Sequence, residues 1–144
     1  MTYDYNDNKS VLLYKLLKVY DCNPYYFGTH EETIGDDEQY TTIIVKENTG
    51  GKNKRYYDVE LVLTTAVKVS ATNKSITNIN KHLEFEAAVK NTMYILPDDV
   101  IKQTLISDIK KIKYMGDIPI VRLENPDTWV SSLLFRVFDI GMNF

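Results

Sequence analysis

The sequence predicts an α+β fold: a mostly antiparallel sheet with a long β-hairpin, packed by an N-terminal helix and one or two central helices. Three observations carry this. First, Tyr57, Val59, Leu61, Leu63, Thr65, Val67 and Val69 alternate with Tyr56, Asp58, Glu60, Val62, Thr64, Ala66 and Lys68. A period of two means a strand with one face on a core. Second, Leu12, Leu13, Leu16, Leu17 and Tyr20 recur at helical spacing ahead of it. Third, strand-like runs come in blocks with helical segments between them, which favours helices packed on a sheet over repeating parallel units.

Residues 1–8 read as a flexible lead-in. Asn8 is a suitable cap for a helix over about 9–20, and Pro24 cannot continue it. Residues 21–39 read as a long loop holding Tyr25, Tyr26 and Phe27, then the acids Glu31, Glu32, Asp36, Asp37 and Glu38. Its length points to a functional or disordered segment. The hairpin follows over about 40–69, with its tip at 48–54. Residues 70–80 are polar and read as an exposed loop. A second helix is predicted over about 78–95, with Phe85, Ala88, Val89, Thr92 and Leu96 on its stripe. Pro97-Asp98-Asp99 suits the start of a short helical turn. Residues 105–114 fit no single period. Residues 118–123 read as a strand that Pro119 places at an edge or a strand start. Residues 128–140 read as a long final strand, apolar on both faces and therefore central.

The chain has 144 residues, 44% hydrophobic and 26% charged, which suits one soluble domain over 1–144. A net charge of −3 and a pI near 5.4 give no sign of general affinity for nucleic acid or an anionic membrane. No apolar run approaches the ~20 residues of a membrane span. The first residues are polar and acidic, unlike a secretory signal. One cysteine, Cys22, excludes an internal disulfide and fits a reducing compartment.

The sequence carries no catalytic, cofactor or metal motif that stands out. His30 and His82 lack a paired ligand spacing, and a solvated acidic loop explains His30 beside Glu31, Glu32 and Asp36 better than a cation site. Cys22 has no basic neighbour to activate it. Gly50-Gly51 lacks the Gly-Lys-Ser/Thr ending of a phosphate loop. Asp98 and Asp99 suit a helix start, and Lys110, Lys111 and Lys113 suit a solvated face. The prediction is therefore a non-enzyme without cofactors.

Geometry singles out the hairpin. Fifteen residues, 55–69, would span about 50 Å as a strand, against a domain diameter of roughly 37 Å. Either a bulge breaks the strand or the hairpin tip projects, as a partner contact or as a solvated basic turn. Its residues Gly50, Gly51, Lys52, Lys54 and Arg55, with Tyr56, Tyr25 and Tyr26 nearby or in the acidic loop, are the candidate partner contacts.

This order of elements resembles the tail terminator and head-to-tail joining (neck) proteins of tailed bacteriophages. The resembling parts are the helix over 9–20, the hairpin with Tyr56-Tyr57-Asp58-Val59-Glu60-Leu61-Val62-Leu63, the helix near 78–95 and the closing strand from Trp129 to Ile140. The likeness lies in the pattern of elements; no residue motif supports it. It implies a ring-forming virion protein that caps the tail tube and docks to the head connector. Its partners would be its own copies, the tail tube and the connector, with DNA passing through the ring without specific recognition. Its place would be the tail or neck of the virion, after assembly in the host cytoplasm. A ring needs a head-to-tail contact that closes by rotation, and an exposed edge of the long strand is expected to supply it by sheet extension. The alternative is a non-enzymatic protein-binding adaptor domain, viral and directed at a host protein.

Overall fold

A computed structural model describes residues 8–31, 33–35, 38–46, 56–67, 79–95, 109–124 and 126–139. The elements are α1 (Asn8–Val19), β1 (Pro24–Tyr26), β2 (Gln39–Lys46), β3 (Tyr56–Ala66), α2 (Ile79–Ile95), β4 (Ile109–Leu123) and β5 (Thr128–Asp139). They form one five-stranded sheet in the order β1-β2-β3-β5-β4. All strand pairs are antiparallel except β1–β2. The fold is thus α+β with helices on a mostly antiparallel sheet. Residues 1–7, the hairpin tip 48–54, residues 70–78 and the turn expected after Pro97 lie outside the described residues.

The α1 stripe works as its spacing requires: Leu13, Leu16 and Leu17 are fully buried. The helix ends before the proline acts. The Asp21 N–H bonds the Lys18 carbonyl and the Cys22 N–H bonds the Leu17 carbonyl, with Asp21 at φ 57°. These are the two bonds of a Schellman cap, with Asp in the left-handed position that glycine usually takes. Cys22 then packs in the same core cluster as Leu17.

The segment 21–39 is not one loop, as the sequence suggested. Pro24–Tyr26 forms β1, parallel to β2, with Pro24 opposite Thr41 and Tyr26 opposite Ile43. Asn23, at φ 46°, turns the chain into this strand. Its side-chain amide donates to the Gln39 carbonyl at 2.8 Å, and its carbonyl accepts from the Thr41 N–H at 3.0 Å. A three-residue strand leaves almost no periodic signal. Parallel neighbours need a crossover of about a dozen residues, and residues 27–38 supply it. That accounts for the length of the acidic segment.

The hairpin forms in the register Gln39↔Thr65 to Lys46↔Asp58. Its second strand, however, is neither as long as predicted nor free at an edge. β3 has eleven residues, about 36 Å, which fits within the body. It pairs with β2 from Asp58 to Thr65 on one side and with β5 from Tyr56 to Ala66 on the other. The expectation of an exposed edge on the long strand is therefore wrong: two flanking strands satisfy its backbone.

The true edges are β1 and β4. β4 joins the two stretches that the sequence read separately. Its pairing with β5 shifts register at three places, including Tyr114/Gly116 and Ile118/Val121. Gly116, at φ +128°, allows the first of these two bulges, and Pro119 sits in the second. Bulges, proline and exposed lysine (Lys113) blunt an edge against pairing, and so does the three-residue length of β1.

Both helices lie on one face of the sheet. The core between them holds Leu13, Leu16, Leu17, Ile43, Val59, Leu61, Leu63, Val89, Met93, Leu133, Phe135 and Val137. On α2 the buried line is His82, Val89, Thr92 and Met93, with Phe85 half-buried; Ala88, expected inside, faces out.

Candidate functional site

Alternation in β2, β3 and β5 sends one residue set to the helices and the other to the opposite face, which no described element covers. The uncovered face has two halves. Toward the hairpin end it is charged. The Arg136 guanidinium donates to both carboxylate oxygens of Asp58, at 2.8 and 3.2 Å, and Lys46 meets Glu60 at 3.0 Å. The Ser132 hydroxyl also donates to Glu60 at 2.8 Å. Toward the other end the face is apolar. There a groove of about 410 Å3 crosses the sheet, floored by Tyr40, Thr42, Ile44, Val62, Thr64 and Val130. Phe27 and Glu31 wall it on the β1–β2 side; Leu123, Glu124 and Pro126 wall it at the β4–β5 turn. Ile118, Val121 and Leu123 of β4 stand opposite open-face residues of β5. These three, with Phe27, are 46–50% exposed.

The structure separates the residues singled out from sequence. Gly50, Gly51, Lys52, Lys54 and Arg55 lie outside the described residues. Tyr56 opens β3 opposite Phe138, with the Arg136 guanidinium 4.1 Å from its ring centroid. Tyr25 and Tyr26 take opposite faces. Tyr26 stacks on Tyr14 of α1 at 4.8 Å, while Tyr25 sits edge-on to Tyr40 and His30.

His30 anchors the groove wall. Its ring stacks on Tyr40, with centroids 3.6 Å apart. Nδ1 lies 2.6 Å from the Glu31 carbonyl and Nε2 lies 2.6 Å from a Glu38 carboxylate oxygen. Both partners are acceptors, so a ring nitrogen that carries a hydrogen donates it to the one it faces. Burial pushes the Glu38 carboxyl up, but hydrogen bonds from His30 and the Gly35 N–H outweigh it and hold the group below its ordinary range. A polar pocket of about 540 Å3 opens beside this pair, lined by Tyr25, Thr33 and Glu31 among others. The His30–acid neighbourhood noted in the sequence is thus a latch within the crossover. Among the described residues no group of three His, Cys, Asp or Glu could hold a metal ion.

Sequence reasoning missed a second histidine site. His82 of α2 is fully buried against the sheet. Its Nδ1 lies 2.7 Å from the Thr65 hydroxyl and its Nε2 lies 2.7 Å from the Ser131 hydroxyl. Ser131 in turn donates to Glu86 at 2.7 Å, and the Gln39 amide donates to Thr65 at 3.0 Å and to the Lys81 carbonyl at 3.1 Å. Donor directions now follow. Ser131 gives its one hydrogen to the carboxylate, so it accepts from Nε2–H. Nδ1 then accepts from Thr65, which accepts from Gln39. Burial lowers the His82 pKa from 6.5 to about 4, which fits this neutral ring. The set resembles a Ser-His-carboxylate constellation, but its proton order is reversed: the imidazole donates to the serine instead of taking its proton. It is a buried peg joining α2 to β2, β3 and β5. Its available signal was spacing, since His82 precedes Phe85 by three residues and Val89 by seven.

Cys22 is buried, and burial, with Asp21 beside it, pushes its thiol up against the weaker lowering effect of Thr92. Native protein is expected to resist a thiol reagent such as DTNB until urea unfolds it; immediate stoichiometric reaction in buffer would contradict this packing.

No helix among the described residues is long and apolar enough to cross a membrane. No family model matches the chain, and no curated protein matches it.

Proposed function

We propose that this chain is a ring-forming structural protein of a tailed phage virion, a tail terminator or head-to-tail joining component. In this reading its copies cap the tail tube and present a surface to the head connector. The order of elements supports the phage assignment by resemblance. The exposed apolar side chains Ile118, Val121 and Leu123, on the sheet face that no described element covers, support an assembly role and carry the reading. A two-layer domain whose second sheet face bears exposed apolar side chains is built to be covered by protein. Sheet extension is not the mode, because β3 is interior and both edges are blunted.

The test is electron microscopy of purified chain mixed with tail tubes. Rings seated on tube ends are expected. Tubes with bare ends at saturating protein would overturn the assignment and favour the adaptor reading.

A further inference from the structure

Where two copies would touch follows from the distribution of apolar side chains. Among the described residues, exposed large hydrophobics occur on both sides of the sheet, with Val19 and Ile79 at helix ends and Met115 in a β4 bulge besides. Phe27, Ile118, Val121 and Leu123 belong to the open sheet face; Leu83 and Tyr94 belong to α2 in the helical layer. The helical layer and the groove end of the open face differ in charge, while Lys46, Lys113 and Arg136 lie on that face beyond the groove. The two helices carry five lysines against two glutamates, and Lys15 and Lys18 of α1 are exposed. The groove on the open face is walled by Glu31 at one end and Glu124 at the other, both exposed.

We propose that copies of this chain stack head to tail, the helical layer of one lying on the open sheet face of the next. This rests on the self-assembly reading above and names the two surfaces involved. Size supports it. Four strands ~4.8 Å apart, taken over the ~36 Å length of β3, present roughly 700 Å2, close to the ~800 Å2 per partner of a standard stable interface. Charge selects the mode. Two open faces joined symmetrically, apolar end on apolar end, would set Glu31 and Glu124 of one copy near the same acids of the other. Stacking helices on the face instead brings lysines to the acids and covers both apolar sets at once. It also lays a helical layer on the face that no described element covers. Because the two surfaces differ, the contact is heterologous, and it closes into a ring when the rotation between neighbours divides a full turn.

The experiment mixes two single-site variants of the full chain, Leu83→Cys and Val121→Cys, under mild oxidation, with Cys22 left buried. Both new thiols are on exposed positions, so folding is preserved. The expected result is a mixed disulfide between the two variants in preference to either self-pair. A dominant Val121→Cys self-pair would overturn the proposal in favour of face-to-face packing. A second arm reads sedimentation. Lys15→Glu with Lys18→Glu is expected to weaken association at least about tenfold, and Glu31→Lys with Glu124→Lys in the same chain to restore it. An oligomer unaffected by these changes and lacking the mixed disulfide would end this proposal while leaving self-assembly intact. A chain that sediments as a monomer throughout would end both.

Discussion

Phe135→Ala is expected to lower the free energy of unfolding by about 3–5 kcal/mol, the range for removing a buried aromatic ring. Phe135 is 1% exposed and belongs to β5, the strand that joins β3 to the edge strand β4. It stands opposite Val59 on one side and Tyr114 on the other, its ring centroid 5.6 Å from that of Tyr114. The helices cover this row from above, so the cavity could close only by moving α2 or the β4 bulge. Single domains hold about 5–15 kcal/mol in all, so the variant should be marginal at 37 °C. Urea unfolding measures the loss. A change below about 1 kcal/mol would mean that the two layers do not pack on this residue.

Acid should weaken the fold through His82 well before the carboxylates titrate. The unfolded imidazole takes its proton near pH 6.5, and burial holds the folded one to about 4. Between those values the unfolded chain binds more protons, so stability is full above pH 6.5 and falls as pH drops toward 4. The total is up to about 3 kcal/mol, from 1.36 kcal/mol per pH unit. The geometry gives the cause. A proton on Nδ1 would turn that nitrogen into a donor facing Thr65, and its hydroxyl would lose the acceptor it now uses. Glu86 is the one charged group joined to the ring through this chain of bonds. Glu38, held below its ordinary 4.5, adds a loss of the same sign at lower pH, so the slope between 6.5 and 5 belongs to His82. His82→Leu should remove that slope while costing stability at neutral pH, because the Thr65 hydroxyl loses its acceptor and the Ser131 hydroxyl loses a donor, each keeping one other bond. Urea midpoints that do not change between pH 7 and pH 5 would contradict the buried neutral ring.

Elements with a long period were legible in the chain. The leucine stripe fixed α1, the alternation from Tyr57 placed β3, and apolar residues on both faces placed β5 in the interior. What failed was short or aperiodic. β1 has three residues, too few for any period. β4 was split in two because its bulges break the alternation at Met115 and around Pro119. The strand predicted at 55–69 was too long because alternation continues past the last paired residue, and its exposed edge was lost to β5, whose sequence gives no sign of which neighbour it joins. Of the candidate contacts, Tyr25 lies on the open face beside Tyr40, while Tyr26, its sequence neighbour, packs on α1. The open face itself was invisible, since the sequence does not say which side of the sheet the helices choose. The His82 relay was missed because Gln39, Thr65, His82, Glu86 and Ser131 are scattered over more than ninety residues.

Native mass spectrometry of the full chain over a concentration series tests most directly whether the open sheet face is built for another copy. One multimer of fixed copy number, growing in with concentration, is the predicted result. A monomer at every concentration, unchanged when tail tubes or connector are added, would contradict the account.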